Sequence, residues 1–366
     1  MTLSSQHSPS AADILRTAQR LVIKIGSSLL IGGEDGHPAL DVSALCQDIA
    51  TYQGQGKQIC IVSSGAVALG RRILPGRGNE LSDRQALSAI GQIHLLSLWQ
   101  NHLNAVGLNA AQVLLTPDIT ERRTRYLNAR STLRHLLEAG IVPIINENDT
   151  VAVDELRYGD NDRLAAMTAG IMDADALLLL TDVDGIYTDN PSKNKKATHI
   201  AHLSPQTLAD LDTSLMETGS HVGTGGMASK IEAGRLATSW GIPTMISSGH
   251  TAHPLVKIIA GEAKATLLSA SPARTKARRR WLTGLLDQDR PIIHVDQGAA
   301  TALKEGKSLL KVGVTKVERP FDVGDVVAVL CEGTPIGFGL AKTSSPMVTE
   351  GSAKIIIHRD DFVVEA

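Results

Sequence analysis

The sequence has few aromatic residues and few cysteines. Phenylalanine, tryptophan and tyrosine together make up 3% of the 366 residues, which leaves little material for the stacking platforms that bind single-stranded nucleic acid. The three cysteines, Cys46, Cys60 and Cys331, form no CxxC pair. Their number and spacing predict neither a disulfide framework nor a zinc site, and they fit a reducing, cytoplasmic compartment.

Long apolar runs and a strong net charge are also missing. No segment approaches the roughly 18 consecutive apolar residues of a membrane-spanning helix, so no membrane partner is predicted. The formal net charge of -2 gives no sign of a polyanionic partner. The first residues are polar and Ser-rich, without the apolar segment of a secretory signal. We therefore predict a flexible tail over residues 1–18.

Strand-like and helix-like segments alternate up to about residue 270. Such alternation is typical of right-handed βαβ units, so we predict an α/β domain over 19–270, a three-layer αβα sandwich with a mostly parallel central sheet. The predicted strands are 21–25, 58–64, 111–116, 141–146, 176–181 and 244–247, and the predicted helices are 41–52, 81–103, 122–139, 161–172 and 227–240. Pro143 suggests that the strand predicted over 141–146 begins after its first residues, because proline has no N–H group to donate.

The pattern changes after residue 270. Residues 271–289 contain a basic cluster and little periodicity, and we interpret them as a linker. Residues 290–366 hold short β-rich runs with turn signals, which predict a small β-barrel-like domain. Two domains also agree with the length, because 366 residues exceed one ordinary core.

Lys24 interrupts the otherwise apolar first strand of the larger domain, and Gly26 ends that strand. A strand buried on both faces of a parallel sheet is usually apolar throughout. A buried ammonium is costly unless an anion meets it, and a glycine lets the backbone approach a ligand closely. Phosphate is the simplest such ligand. The alternative is a lysine that reaches solvent from an edge strand.

Polar loops follow most of the other predicted strands. They are Ser63–Ala66, Asn146–Asp149, Thr181–Gly185 and Ser247–Gly249. In an open parallel sheet, ligands collect beyond the carboxyl ends of the strands. Several hydroxyl, amide and carboxylate groups at that edge therefore favour a binding site over an ordinary set of surface turns.

Two further segments carry candidate site residues. Asp160, Asn161 and Asp162 open a predicted helix, and one cap residue would suffice there. The segment 219–230 is a glycine-rich loop that leads into a helix with Lys230 in its first turn. Such a loop can present backbone N–H groups to phosphate. A merely polar turn and a flexible surface loop are the alternatives.

Together these features predict phosphoryl transfer, which needs two anionic reactants to be positioned and the transferred group to be stabilised. Two lysines from distant parts of the chain, Lys24 and Lys230, would have to meet at one edge of the sheet. A carboxylate between them would hold both in place and keep both charged.

The motifs resemble the amino acid kinase family. Val22–Ser28 and Thr181–Pro191 look like its opening strand and its nucleotide-side loop. Ile144–Thr150, Gly159–Asp162 and Gly223–Lys230 resemble the members that phosphorylate glutamate. The resemblance implies ATP-dependent, Mg²⁺-dependent phosphorylation of the γ-carboxylate of L-glutamate, the first step of proline biosynthesis. Acetylglutamate, aspartate, carbamate or a nucleoside monophosphate remain as alternative acceptors.

The resemblance also implies roles for individual residues. Lys24 and Lys230 would stabilise the transferred phosphoryl group and Asp162 would orient them. The L-glutamate pocket would be lined by Ser64, Asn146, Asp149, Asp160 and Asn161. ATP would be held by Lys24, Gly26, Thr181, Asp182, Thr224, Gly225, Gly226, Met227, Ala228, Ser229 and Lys230. Mg²⁺ would bridge the nucleotide phosphates, and no residue is named as its ligand. The resemblance further implies a homo-oligomer, a dimer or tetramer, inhibition by L-proline and a glutamyl-phosphate reductase partner.

The C-terminal module resembles a PUA domain. The likeness lies in the segments 292–300, 308–314 and 357–361. Related modules bind RNA, so an RNA-binding protein is the alternative from another functional class. Residues 285–366 hold 9 Lys and Arg against 12 Asp and Glu, and this balance argues against an RNA footprint.

Overall fold

The computed structural model describes residues 9–32, 38–76, 80–116, 119, 123–151, 161–191, 193–211, 226–270 and 291–364. The chain divides into two compact units. The larger comprises Met1–Pro117 and Ser131–Arg274, and the smaller comprises Asp118–Arg130 and Thr275–Ala366. The predicted linker 271–289 lies outside the described residues.

The larger unit is built on alternating strands and helices. Its strands are β1 (Arg20–Ile25), β2 (Gln58–Ser63), β3 (Ala110–Leu115), β4 (Val142–Glu147), β5 (Ala176–Thr181), β6 (Ile186–Tyr187), β7 (His199–Ile200), β8 (His202–Leu203), β9 (Thr244–Ser248) and β10 (Ala265–Leu268). The helices before residue 270 are α1 (Ala11–Thr17), α2 (Ser27–Ile31), α3 (Val42–Gln53), α4 (Ala66–Ile73), α5 (Leu81–Ala105), α6 (Arg123–Glu138), α7 (Asn161–Ile171), α8 (Pro205–Ala209), α9 (Met227–Ser239) and α10 (Pro254–Ala260).

Eight of these strands form one sheet in the order β3-β4-β2-β1-β5-β9-β10-β8. All neighbours pair in parallel except β9 and β10, which are antiparallel. The prediction of a mostly parallel α/β sheet is therefore confirmed. Because β1, β2, β4, β5 and β9 run in one direction, their carboxyl ends meet at one edge.

Alternate side chains of the central strand face opposite layers. Leu21, Ile23 and Ile25 of β1 join a core cluster with side chains of α3, α5 and α10. Lys24 lies on the other face of the strand, where α7 packs. This alternation places one ammonium group under α7 while the rest of the strand stays apolar.

The prediction of a flexible tail is wrong for the end of that segment. Residues 11–17 form α1, whose N-terminus has a capping box in which the Ser10 side chain accepts from the Asp13 N–H and Asp13 accepts from Ser10. Leu15 is fully buried in the core. The Ser-rich composition concealed a capped helix with one strong apolar anchor.

The strand with Pro143 begins at Val142 and not late, although its two edges differ. Pairing with β3 starts at Val142, whereas pairing with β2 starts only at Ile144. Proline lacks an N–H group, so it is accommodated where one side of the strand is not yet paired.

The smaller unit holds a six-stranded, mostly antiparallel sheet in the order β12-β16-β15-β14-β11-β13. Its elements are β11 (Ile292–Val295), α11 (Gln297–Lys304), β12 (Leu309–Leu310), β13 (Val314–Val317), β14 (Val326–Cys331), β15 (Thr334–Ala341), α12 (Ser345–Thr349) and β16 (Ile355–Val364). Apolar side chains of these strands and helices form a hydrophobic core within this unit. The sheet curls into a half-barrel, which agrees with the predicted barrel-like module.

Candidate functional site

Lys24, Asp162 and Lys230 meet at the carboxyl edge of the large sheet. One carboxylate oxygen of Asp162, Oδ1, forms an ion pair with the Nζ atom of Lys24. The other oxygen, Oδ2, lies 3.3 Å from the Nζ atom of Lys230. The three residues come from β1, from the first turn of α7 and from the first turn of α9. Three distant segments thus build one charged group, hereafter the ionic trio.

The ionic trio is buried. Lys24 and Lys230 are 4% and 6% exposed, and Asp162 is fully buried. The carboxylate offsets part of the cost of burying two ammonium groups. It also lies in the first turn of α7, where the helix dipole favours a negative charge. Two cations against one anion leave the trio with an excess positive charge, which suits an anionic ligand.

The first turn of α9 lies beside the ionic trio. Gly226 occupies the N-cap position, and glycine has no side chain with which to cap the N–H groups of this turn. Ser229 hydroxyl lies 3.3 Å from Asp162 Oδ2 and donates to the Gly226 carbonyl at 2.9 Å. Met227 and Ala228 complete the turn. A helix start of this kind can bind phosphate through its backbone.

The ends of β1 and β5 are neighbours in the sheet. Gly26 has an ordinary φ of -69°, and a Cβ atom there would approach nothing closer than 3.7 Å. The fold itself therefore does not require a glycine at this position. On the neighbouring strand, the Thr181 hydroxyl donates to Asp182 Oδ1 at 2.8 Å, and Asp182 is exposed.

Neutral polar groups line the adjoining part of the edge. The amide nitrogen of Asn161 donates to Ser64 Oγ at 2.7 Å and to Asn146 Oδ1 at 2.8 Å. It also lies 3.3 Å from the carbonyl oxygen of Ser63. Because Asn161 directly precedes Asp162, the neutral groups and the ionic trio belong to one continuous site.

Helix α5 supplies site residues that the sequence analysis missed. Ser88 hydroxyl donates to Asp149 Oδ2 at 2.6 Å, and Gln92 Oε1 accepts from Asn146 Nδ2 at 2.8 Å. Ser88 and Gln92 are buried and lie four residues apart, on the same face as the buried Leu95 and Trp99. That spacing was the available signal, since two polar residues interrupt an otherwise apolar stripe.

Glycines bring α5 close enough to reach the site. A Cβ atom on Gly91 would lie 1.8 Å from the Ala66 carbonyl oxygen, and one on Gly70 would lie 1.9 Å from the Leu87 carbonyl oxygen. Helices α4 and α5 therefore cross with their backbones in contact. Since α4 begins just after Ser64, this crossing places Gln92 beside the loop that carries Ser64.

A second polar group lies beyond β5 and was also missed. Tyr187 hydroxyl donates to the Asp184 carboxylate at 2.9 Å, and Lys264 Nζ donates to the Tyr187 hydroxyl at 3.3 Å. The hydrogen bond with Tyr187 and the charge of Asp184 raise the pKa of Lys264. The ring of His199 lies edge-on to Tyr187, and burial lowers the pKa of His199.

The remaining predicted residues Asp160, Thr224 and Gly225 lie outside the described residues. Within the described ranges, no group of three or more His, Cys, Asp or Glu side chains could hold a metal ion. No helix in the same ranges is long and apolar enough to cross a membrane.

Comparison with known proteins gives two family matches and close relatives. Residues 19–248 match the amino acid kinase family, and residues 291–358 match the PUA domain. A "Glutamate 5-kinase" of Caulobacter vibrioides (strain NA1000 / CB15N) is 47% identical over 335 residues, which cover 90% of this chain and 88% of the relative. A "Glutamate 5-kinase" of Rhodopseudomonas palustris (strain BisB5) is 44% identical over 370 residues, covering 96% and 97%.

A third relative, "Glutamate 5-kinase" of Sinorhizobium fredii (strain NBRC 101917 / NGR234), is 41% identical over 370 residues, which cover 96% of this chain and 93% of the relative. The matches extend over both units, and the ionic trio lies within the segment matched by the kinase family. The chain therefore belongs to the amino acid kinase family and carries a C-terminal PUA domain.

Proposed function

We propose that this chain transfers the γ-phosphoryl group of ATP to the γ-carboxylate of L-glutamate, giving L-glutamyl 5-phosphate and ADP. The observation that carries the proposal is the ionic trio, in which two buried ammonium groups share one carboxylate beside a set of neutral amides. Relatives named glutamate 5-kinase, at 41–47% identity over most of the chain, support the same reaction.

Lys24 and Lys230 stabilise the phosphoryl group as it moves. Phosphoryl transfer needs little covalent help from the protein, because its main requirements are alignment and stabilisation of negative charge. Asp162 holds the two ammonium groups on either side of one point, so little reorganisation is needed when the charge develops. Burial strengthens these interactions by excluding water.

The acceptor binds among the neutral groups next to the trio. Ser64, Asn146, Asp149, Asp160 and Asn161 form the glutamate pocket in this proposal. The Asp149 carboxylate suits the α-ammonium group, and hydroxyl and amide donors suit a carboxylate. The γ-carboxylate then points toward Lys24 and Lys230, where it meets the γ-phosphate in line.

ATP lies along the other side of the trio. The first turn of α9, with Gly226, Met227, Ala228 and Ser229, receives its phosphates together with Gly26 at the end of β1. Thr181 and Asp182 contact the nucleotide, as do Thr224 and Gly225. Mg²⁺, held by the phosphates, would neutralise part of their charge.

Other features of the proposal come from the family resemblance. They are action in the cytoplasm, a homo-oligomer, inhibition by L-proline and delivery of the acyl phosphate to a glutamyl-phosphate reductase. An acyl phosphate hydrolyses readily in water, so an enzyme that consumes it promptly is chemically appropriate.

A panel of acceptors tests the reaction. ADP release is measured with ATP, Mg²⁺ and one acceptor at a time, taken from L-glutamate, N-acetyl-L-glutamate, L-aspartate, carbamate and UMP. We expect turnover with L-glutamate, and hydroxylamine should trap the product as the γ-hydroxamate. Turnover with another acceptor and none with L-glutamate would overturn the proposal.

A further inference from the structure

Gln92 of α5 is a buried residue whose side-chain amide is hydrogen-bonded at its oxygen but, within the part of the chain that the structure describes, not at its nitrogen. It is 7% exposed, and its Oε1 atom accepts from Asn146 Nδ2 at 2.8 Å. Its Nε2 atom is buried and has no hydrogen-bond partner among the described residues. A buried donor without an acceptor is costly, so this position is not explained by stability alone.

A chain of amides connects Gln92 to the open edge of the site. Asn146 donates to Gln92 and accepts from Asn161, and Asn161 donates to Ser64 Oγ. Each side-chain amide has one end that donates and one that accepts. The direction of one member therefore fixes the direction of the next.

A backbone carbonyl group fixes the donor-to-acceptor direction of this chain of side-chain amides. The carbonyl oxygen of Ser63 can only accept, and it lies 3.3 Å from one amide atom of Asn161. That atom must be Nδ2, so its neighbour on Asn146, at 2.8 Å, must be Oδ1. The other end of the Asn146 amide must then donate, and among the described residues its acceptor is Gln92 Oε1.

This direction determines what the site offers a ligand. The Asn161 nitrogen is used within the protein, so its Oδ1 is the atom left to accept from a ligand. Ser64 Oγ already accepts from Asn161, so its hydroxyl proton is left to donate. One outward acceptor beside one outward donor matches an α-amino acid, which carries an ammonium and a carboxylate on the same carbon.

We infer that Gln92 is a positioning residue that holds the Asn146 amide in the direction set by the Ser63 carbonyl, and so keeps Asn161 placed to accept from the α-ammonium of the substrate and Ser64 placed to donate to its α-carboxylate. The inference rests on the proposed function for the identity of the substrate. It gives α5 a role in selecting the acceptor, although Gln92 itself touches only Asn146 among the groups of the site.

Gln92→Met tests this role, because it keeps the length of the side chain and removes the acceptor. We expect the glutamate KM to rise at least about tenfold, with the ATP KM changed less than about twofold. The preference for L-glutamate over glutarate, which lacks the α-amino group, should fall at least about fivefold in kcat/KM, because Asn146 loses the acceptor that holds its amide in place against Asn161.

Gln100→Met is the matched control, since Gln100 lies on the same helix and bonds Asn104 and the Ala110 N–H, away from the site. Its glutamate KM and its preference over glutarate should equal those of the unmodified protein. If the wild-type protein does not turn over L-glutamate, the proposed function is rejected. If the wild-type protein turns over L-glutamate but Gln92→Met leaves the glutamate KM and the preference over glutarate unchanged, only the inference about Gln92 is rejected.

Gln92→Glu keeps the inference testable if the methionine variant fails to fold. A glutamate side chain retains an oxygen acceptor for Asn146, and in its protonated form it keeps one donor in place of the amide nitrogen. Burial raises the pKa of such a carboxyl group, so it stays neutral at lower pH. At pH 6 we expect the preference for L-glutamate over glutarate to stay within about threefold of wild type. A loss of preference as large as that expected for Gln92→Met would overturn the inference.

Discussion

The two ends of the candidate site are built from different kinds of group. The ionic trio uses full charges, with two ammonium groups on one buried carboxylate. The neighbouring end uses neutral amides and hydroxyls, which contact one another through hydrogen bonds of 2.7 to 2.8 Å. Asn161 and Asp162, adjacent at the start of α7, connect the two ends.

This difference follows from what each end has to bind. A phosphoryl group in transfer carries diffuse negative charge, and fixed positive charges stabilise it from several directions. A small acceptor must instead be distinguished from its analogues, and hydrogen bonds of fixed direction do this better than charge. Substitutions at the charged end should therefore affect kcat, and those at the neutral end should affect KM.

Lys230→Ala gives the largest expected effect. It should lower kcat at least about 10³-fold, because one of two stabilising charges is lost from a buried site. The fold should persist, since Lys24 and Asp162 remain as a balanced pair. Steady-state kinetics and circular dichroism measure both outcomes. Lys304→Ala removes an exposed lysine of α11 and should change neither. Normal turnover in the Lys230 variant would exclude its assigned role.

Asp162→Asn should lower kcat about 100-fold, because the lysines lose the group that orients them. It should also destabilise the protein by about 3–5 kcal/mol, since two buried ammonium groups lose the carboxylate that they share. Urea denaturation measures the stability. Added ATP or sulfate should raise the melting temperature of this variant more than that of wild type. An equal rise in both proteins would contradict the idea that an anion replaces the missing carboxylate.

Much of the charged end could be predicted from the sequence, because local patterns identify it. Lys24 interrupts an apolar strand, and Lys230 follows a glycine-rich loop. Their meeting at Asp162 follows once both are placed at the carboxyl edge of a parallel sheet. Predicted bounds also matched closely where burial is continuous, as in β5, because such strands carry an unbroken apolar run.

The contribution of α5 could not be predicted in the same way. Ser88 and Gln92 reach the site only because Gly70 and Gly91 let two helix backbones touch. A close crossing of two helices is a tertiary contact. The sequence around Gln92 does not show which element α5 packs against. The capped helix α1 was missed for a different reason, since the Ser-rich sequence before it is typical of a disordered tail.

Asp149→Ala tests a carboxylate that the proposed glutamate pocket adds to this neutral end, and its expected effect is intermediate. The glutamate KM should rise about 30-fold, because a charged partner for the α-ammonium group is removed. The ATP KM should stay within about twofold, and kcat should change little, which is the pattern of a lost ground-state contact. Equal increases in both KM values would place Asp149 outside the glutamate pocket.

Ser88→Ala should give the smallest effect and shows whether α5 acts through Asp149. The Ser88 hydroxyl donates to Asp149 Oδ2 at 2.6 Å, and its loss leaves that carboxylate free to rotate. We expect the glutamate KM to rise about threefold to tenfold, which corresponds to the net contribution of one ordinary hydrogen bond. The ATP KM should not change.

Ser97→Ala is the matched control for this substitution. Ser97 is an exposed serine of the same helix, and its hydroxyl bonds the Ile93 carbonyl. It should leave both KM values as they are. In the double variant Ser88→Ala with Asp149→Ala, the serine change should add nothing, because its only role at the site is to hold a carboxylate that is no longer present. Additive effects on the glutamate KM would instead mean that Ser88 meets the substrate directly.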